Sequence, residues 1–382
     1  MKGLSFLLIS CLFACRTTPD YNRELPAGAD ALILVERPGA IPDLSQEWLQ
    51  RDDILPALVK SIEWTKTKHS KQFFPIEGVS HERALRSLER FKEVLVQSRS
   101  AVEFGRAVER EFDFYMSAGW DGRGGGVLFT GYCTPILDGS LEHKPGFDHP
   151  LYALPEDLIK NKLGVTLGQQ GPAGITPYPT RHTIEASHIL SGRGLELVWM
   201  RDPIDAYIAH VNGSAFIRLA SGEMLRLGYS GTNGRDYRSL GKELVNSGVL
   251  EADKVSLAAI RRWAQANPGQ IASFLDRNER YVFFTPIEGN PRGSLNVPVT
   301  GGRSLATDKR LFPRGALVFV ATEEPIGTER LPYRHLMLDQ DTGGAIRTAG
   351  RGDIYLGIGD EAEAQAGTTR VQGQMYYLFL KN

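Results

Sequence analysis

Asp339-Gln-Asp-Thr-Gly-Gly-Ala-Ile-Arg347, followed by Gly352-Asp-Ile-Tyr355, is the stretch on which the reading of this chain turns. It sets two carboxylates, Asp341 and Asp353, twelve residues apart, each beside residues that suit a tight backbone turn. Gly343 and Gly344 allow positive φ or a close backbone approach, which serves a loop that must make room for a ligand. Ile354-Tyr355 begins a buried strand, so Asp353 stands at a strand end, where a rigid element can present a general acid or base at a cleft rim. A plainer reading also stands: Asp341 can cap its own turn through an Asx-type hydrogen bond, and Asp353 can be a structural carboxylate.

Outward from that stretch the chain is strand-like. Val282-Phe-Phe284, Ala316-Leu-Val-Phe-Val320 and Tyr376-Tyr-Leu-Phe-Leu380 lie on either side of it. Further short runs precede them: Val127-Leu-Phe-Thr-Gly-Tyr132, Leu195-Glu-Leu-Val-Trp199, Ala206-Tyr-Ile-Ala-His-Val211, Ala215-Phe-Ile-Arg-Leu219 and Met224-Leu-Arg-Leu-Gly-Tyr229. Ser221-Gly222 joins the last two as a hairpin. Strands this short and this frequent predict a barrel or sandwich rather than βαβ units. From Ser45 to about Phe112 the period is helical, with Leu49, Ile54, Leu58 and Ile62, then Leu85, Leu88, Phe91 and Val94-Leu95 behind the N-cap candidate Ser80. Helical pattern returns at Ser256 to Ala266 and at Gln270 to Leu275. An α–β–α–β order fits a β-rich segment inserted into another domain.

At 382 residues two domains are the natural expectation. A net charge of −1 and the absence of a Lys/Arg run argue against a nucleic-acid partner. Lys2 and the apolar run Leu4 to Ala14 have the form of a signal peptide, too short to span a bilayer. The run ends Leu12-Phe-Ala-Cys15, which resembles a bacterial lipobox with Cys15 as the lipidated residue; Leu8-Ile-Ser-Cys11 is a competing match. Residues 16–43 then form a tether. Cys133 is left as the single unmodified cysteine, which can form no internal disulfide and fits no zinc spacing. The eight histidines form no ligand pair, and no metal or cofactor is expected.

Phe129-Thr-Gly-Tyr132, Gly228-Tyr-Ser-Gly-Thr-Asn-Gly234 with Tyr237-Arg-Ser-Leu-Gly241, and Tyr281-Val-Phe-Phe284 together resemble segments of one family. So do Val297-Pro-Val-Thr-Gly-Gly-Arg-Ser-Leu-Ala306, Gln340-Asp-Thr-Gly-Gly-Ala-Ile346 and Asp353-Ile-Tyr-Leu-Gly-Ile-Gly-Asp-Glu-Ala362. In this order they resemble the MltA family of membrane-bound lytic murein transglycosylases. The resemblance implies a mainly β protein with N-terminal helices. A double-psi β-barrel domain would comprise residues 44–135 and 251–382, a second β-rich domain would be inserted at 136–250, and a glycan groove would lie between them. It implies cleavage of the β-1,4 bond between N-acetylmuramic acid and N-acetylglucosamine without water, leaving 1,6-anhydromuramoyl ends.

Three aspartates match the family's: Asp353 as the catalytic acid, with Asp341 and Asp308 in support. One carboxyl would suffice, because it protonates the glycosidic oxygen and then accepts the proton of the muramoyl C6 hydroxyl as that group attacks C1 within the same sugar. That role needs a proton on Asp353, for which partial burial or the neighbouring Asp341 charge would serve. Asp308, in Ala306-Thr-Asp-Lys-Arg310, also fits a turn or barrel-end role. Groove candidates are Thr130, Tyr132, Thr134, Asn212, Gly213, Ser214, Tyr229, Asn233 and Tyr237. Asn212-Gly-Ser214 departs from the family's Gln-Gly-Ser-Gly, and Cys133 stands where a Tyr is usual. The resemblance implies peptidoglycan glycan strands as substrate, a lipid-anchored place in the bacterial envelope at the outer membrane, and cell-wall synthases as candidate partners. Two rival readings are a non-catalytic peptidoglycan-binding lipoprotein and a hydrolytic muramidase. Asp341-Thr-Gly343 is also the aspartic-protease tripeptide, but such enzymes need two of them or a short dimerising chain.

Overall fold

A computed structural model describes residues 18–382, apart from 163, 252, 253 and 328. The signal run and Cys15 lie outside these residues.

Six strands close into a ring. In order around it they are Arg370–Leu380, Leu317–Thr322, Arg334–Asp341, Ser304–Ala306, Arg351–Ile358 and Val127–Thr134, which returns to Arg370–Leu380 through the pairing of Val127–Gly373 to Thr130–Arg370. Two neighbouring pairs are parallel, Val127–Thr134 with Arg351–Ile358 and Ser304–Ala306 with Arg334–Asp341. Closure leaves no open edge within the ring. Alternate residues fill the inside: Val127 and Phe129, Val318 and Val320, Val371, Met375 and Tyr377, with Leu305, Met337 and Ile354. Polar groups share that interior. Asp339 pairs with Lys309 and accepts from Thr307 Oγ1 at 2.7 Å and Tyr377 Oη at 2.8 Å.

Helices Arg51–Thr65, His81–Gln97 and Ala101–Glu111 cover one outer face. Ile54, Leu58, Ile62, Leu88, Phe91 and Phe104 pack there with barrel residues Phe319, Leu336 and Leu338. Ser80 caps the second helix, its side chain accepting from the Arg83 N–H at 3.1 Å, as the sequence predicts. Leu49 does not join this core: it is exposed and precedes the helix.

The second unit is built on a six-stranded sheet in the order Val282–Pro286, Met224–Thr232, Ala215–Arg218, Ile136–Ser140, Glu196–Met200, His149–Tyr152. The hairpin across Gly222 forms as expected, with φ of 84° at that glycine. Two expectations are corrected. Ala206–Val211 is not a strand but lies in the helix Pro203–Asn212, started by Asp202 and Pro203 and ended by Gly213 at φ 70°. It sits between the sheet and other helices, so Ala206, Tyr207, Ile208 and Ala209 are all buried and the helical period is hidden. The expected insertion boundary at residue 250 also moves. Helices Leu257–Ala266 and Pro268–Leu275 share an apolar cluster with Pro203–Asn212, and Val282–Pro286 pairs with Met224–Thr232. Val282-Phe-Phe284 therefore belongs to the second sheet and not to the barrel.

Candidate active site

Strand register gathers the site. Thr130 pairs with Asp353, Asp353 with Ala306, and Ala306 with Asp341, one row across four neighbouring barrel strands. Each step across a sheet is about 4.8 Å, so the Asp353 and Asp341 backbones stand on the order of 10 Å apart. A small residue, Ala306, lies between them. No hydrogen bond joins the two carboxylates among the described residues.

Asp353 is about one-fifth exposed. It accepts a hydrogen bond from the Thr130 hydroxyl, and Arg351 Nη2 lies 3.3 Å from Oδ1 and 3.1 Å from Thr130 Oγ1. Arg351 and Tyr355 flank Asp353 at i−2 and i+2 along one strand face. Neither was singled out from sequence, though the two-residue period was signal enough. Arg351 Nε is buried without a hydrogen-bond partner.

Asp341 ends its strand and is tied down. Oδ2 accepts from Tyr132 Oη at 2.8 Å; Oδ1 accepts from the Ser294 and Thr342 N–H groups, both at 2.8 Å. Desolvation raises its carboxyl above the ordinary value, opposed by those three donors and by the Lys309 charge. Burial, then the Asp341 charge, pushes the Tyr132 phenol well above its usual range. The Tyr132 ring lies 5.2 Å from that of Tyr355.

Asp308 lies outside this row. It is buried, accepts from the backbone N–H and guanidinium of Arg310, and its carbonyl starts the turn to Leu311 and Phe312. That is the turn role allowed for it above. Asn233 likewise spends its amide on structure: Nδ2 donates to Pro179 O and Glu279 O, and Oδ1 accepts from Tyr281 N at 2.9 Å. Asn212 donates to Ile208 O at the helix end.

The other groove candidates lie where the two units meet. Thr134 Oγ1 lies 3.1 Å from Ser214 Oγ and 3.0 Å from Tyr355 Oη, joining barrel and insertion. Gly213 approaches the Tyr229 ring, where a Cβ would sit 3.7 Å from it. Tyr229 is half exposed, within electrostatic reach of Asp341 and Arg280. Tyr237 comes from the second unit, packs on Gly344 and feels the charges of Asp353 and Arg351. Cys133 is buried and its thiol is pushed up to about 12, which makes it inert.

Residues 128–285 match the family model described as the MltA specific insert domain, and residues 303–379 match the 3D domain. Membrane-bound lytic murein transglycosylase A of Vibrio cholerae is 34% identical over 268 residues, 68% of this chain and 67% of that relative. The chain belongs to the MltA family. Among solved structures, a membrane-bound lytic murein transglycosylase from Agrobacterium tumefaciens matches with a TM-score of 0.78 at 24% identity, over 92% of this chain and 98% of that one. Escherichia coli MltA with bound chitohexaose matches with a TM-score of 0.67 at 23% identity, over 96% and 100%. The fold is therefore the two-unit MltA fold. The insert match, reaching residue 285, agrees with the strand pairing that carries Val282–Pro286 into the second sheet.

Proposed function

We propose that this MltA-family chain is a lytic transglycosylase that cleaves peptidoglycan between N-acetylmuramic acid and N-acetylglucosamine, with Asp353 as acid and then base. The observation that carries the reading is the seating of Asp353. A partly exposed carboxyl is fixed by Thr130 and Arg351 on a barrel strand, beside Tyr237 of the second unit.

The neutral Asp353 carboxyl gives its proton to the glycosidic oxygen as the C1–O bond breaks toward an oxocarbenium-like state. The N-acetylglucosamine hydroxyl leaves. The muramoyl C6 oxygen bonds to C1, and its proton passes to the Asp353 carboxylate, restoring the acid. No water is consumed. Attack within one ring benefits from high effective concentration, so the site needs no second carboxylate to position a nucleophile. Arg351 holds the carboxylate during the interval in which it is ionised. Asp341 works at one remove: it fixes the Tyr132 phenol and the backbone at Ser294, and adds negative charge two strands from the developing cation. The Tyr229 face offers a ring on which a sugar can stack.

The test is mass spectrometry of the products of purified sacculi. Anhydromuramoyl ends are expected. Reducing muramic acid ends would instead make the enzyme a hydrolase, and intact strands that retain the protein would make it a binding module.

A further inference from the structure

We propose that Arg280 and Arg347 form an anion subsite beside the acid, and that it takes a carboxylate of the peptide stem borne by the muramoyl residue. This rests on the reading of peptidoglycan as substrate. The two side chains converge on one glycine. Arg280, from the second unit, has Cζ and Nε each 3.7 Å from where a Cβ on Gly344 would sit. Arg347 Nε donates to Gly344 O at 3.1 Å. Among the described residues neither guanidinium lies within ion-pair distance of a carboxylate, although the chain has many such pairs. Arg280 gives one guanidinium hydrogen bond, to Arg235 O at 3.4 Å, and Arg347 gives only the one named.

Arg280 is half-buried, and desolvation lowers it; Tyr229 and Asp236 oppose this, and Arg347 adds to it. Arg280, half-buried without a paired acid, carries a desolvation cost that a bound anion would offset, and the exposed Arg347 adds a second positive charge near it. Their free N–H groups suit a planar carboxylate, which arginine engages through paired hydrogen bonds. The acids nearby, Asp236 and Asp341, act on this corner through space without pairing to either arginine.

Position supplies the ligand class. Arg347 ends the loop that Asp341 begins, and Tyr237, which packs on the same glycine, feels the charges of Asp353 and Arg351. We take an anion held here to be a substituent of the bound sugar. N-acetylglucosamine carries none, whereas a muramoyl stem ends in carboxylates.

The test compares kcat/KM on stem-bearing glycan strands and on strands whose stems have been removed by an amidase, which hydrolyses the lactyl amide and leaves the lactyl carboxylate free. Wild type, Arg347→Ala, Arg280→Ala and Arg280→Lys are measured. Each alanine change should lower the ratio of the two values by about tenfold or more, the size of one charge-assisted contact; Arg280→Lys should recover part of it. A general loss of folding leaves that ratio unmoved. A ratio that rises because activity falls on the amidase-treated strands alone would move the contact to the lactyl carboxylate, which is free only on those strands, and overturn the stem assignment. An unchanged ratio with lower activity on both strands would make the two arginines structural and overturn the subsite. An unchanged ratio with unchanged activity would overturn the subsite altogether. A wild-type protein that cleaves neither strand nor binds chitohexaose would fail the glycan reading itself, a distinct result.

Discussion

Asp353 and Thr130 face each other in register on parallel strands, and the hydroxyl–carboxylate hydrogen bond between them sets the direction of the acid. Asp353→Asn should abolish nearly all turnover of sacculi while chitohexaose binding persists; substantial residual cleavage would place the acid elsewhere. Thr130→Val removes one donor and should lower kcat/KM by about tenfold, with Thr130→Ser retaining most activity. Asp341 makes a different prediction. Its folded carboxyl lies above its unfolded value because of desolvation. The stability linked to it is fully present below the ordinary carboxylate value and is lost as pH rises through the raised one. Asp341→Asn cannot ionise, so as pH rises above the ordinary carboxylate value its Tm should fall less steeply than that of wild type. Parallel Tm curves would remove this account of Asp341. Asp353, Thr130 and Tyr132 were all named from sequence, the last two as groove candidates, whereas the hydrogen bonds they give to Asp353 and Asp341 emerge only in the fold. Asn233 was not separable from a ligand contact, because only its three backbone partners from distant segments, Pro179, Glu279 and Tyr281, reveal that its amide is already spent.

Elements carry the next level of specification. The barrel interior holds Lys309 and Asp339, both buried, with Thr307 and Tyr377 completing the network. Burial pushes the Asp339 carboxyl up and the Lys309 amine down, and each offsets the other by its charge. Lys309→Met leaves a buried carboxylate without its cation and should cost about 3–5 kcal/mol in urea unfolding. A loss under about 1 kcal/mol would mean that Asp339 is held by its hydroxyl partners alone. Amphipathic helices such as His81–Gln97, capped by Ser80, were readable because one face meets solvent and the period survives. Pro203–Asn212 was misread because burial on both sides erased the period; its Asp202-Pro203 start and Gly213 stop were the signals that remained.

For the whole molecule, the two units meet around the Asp341–Arg347 loop, through Thr134 with Ser214 and Gly344 with Tyr237 and Arg280. Among the described residues no helix is long and apolar enough to cross a membrane. Membrane attachment through Cys15, which lies outside those residues, is a proposal from the lipobox pattern Leu12-Phe-Ala-Cys15. Metabolic labelling with a radioactive fatty acid should mark the protein and fail to mark Cys15→Ser; an unlabelled wild type would remove the anchor, and label retained by the variant would shift it to Cys11.

By itself the sequence determined the local choices: alternating strands, capped helices, glycine turns, and an Asp-Ile-Tyr setting that resembles one family. Those follow from neighbours within a few residues. Only the tertiary structure decided which strands adjoin. Closure of the ring put Ala306 between Asp353 and Asp341 and set Thr130 against Asp353, while pairing with Met224–Thr232 carried Val282–Pro286 into the second sheet. Register between distant segments is set by how whole apolar faces bury, and no local pattern records it.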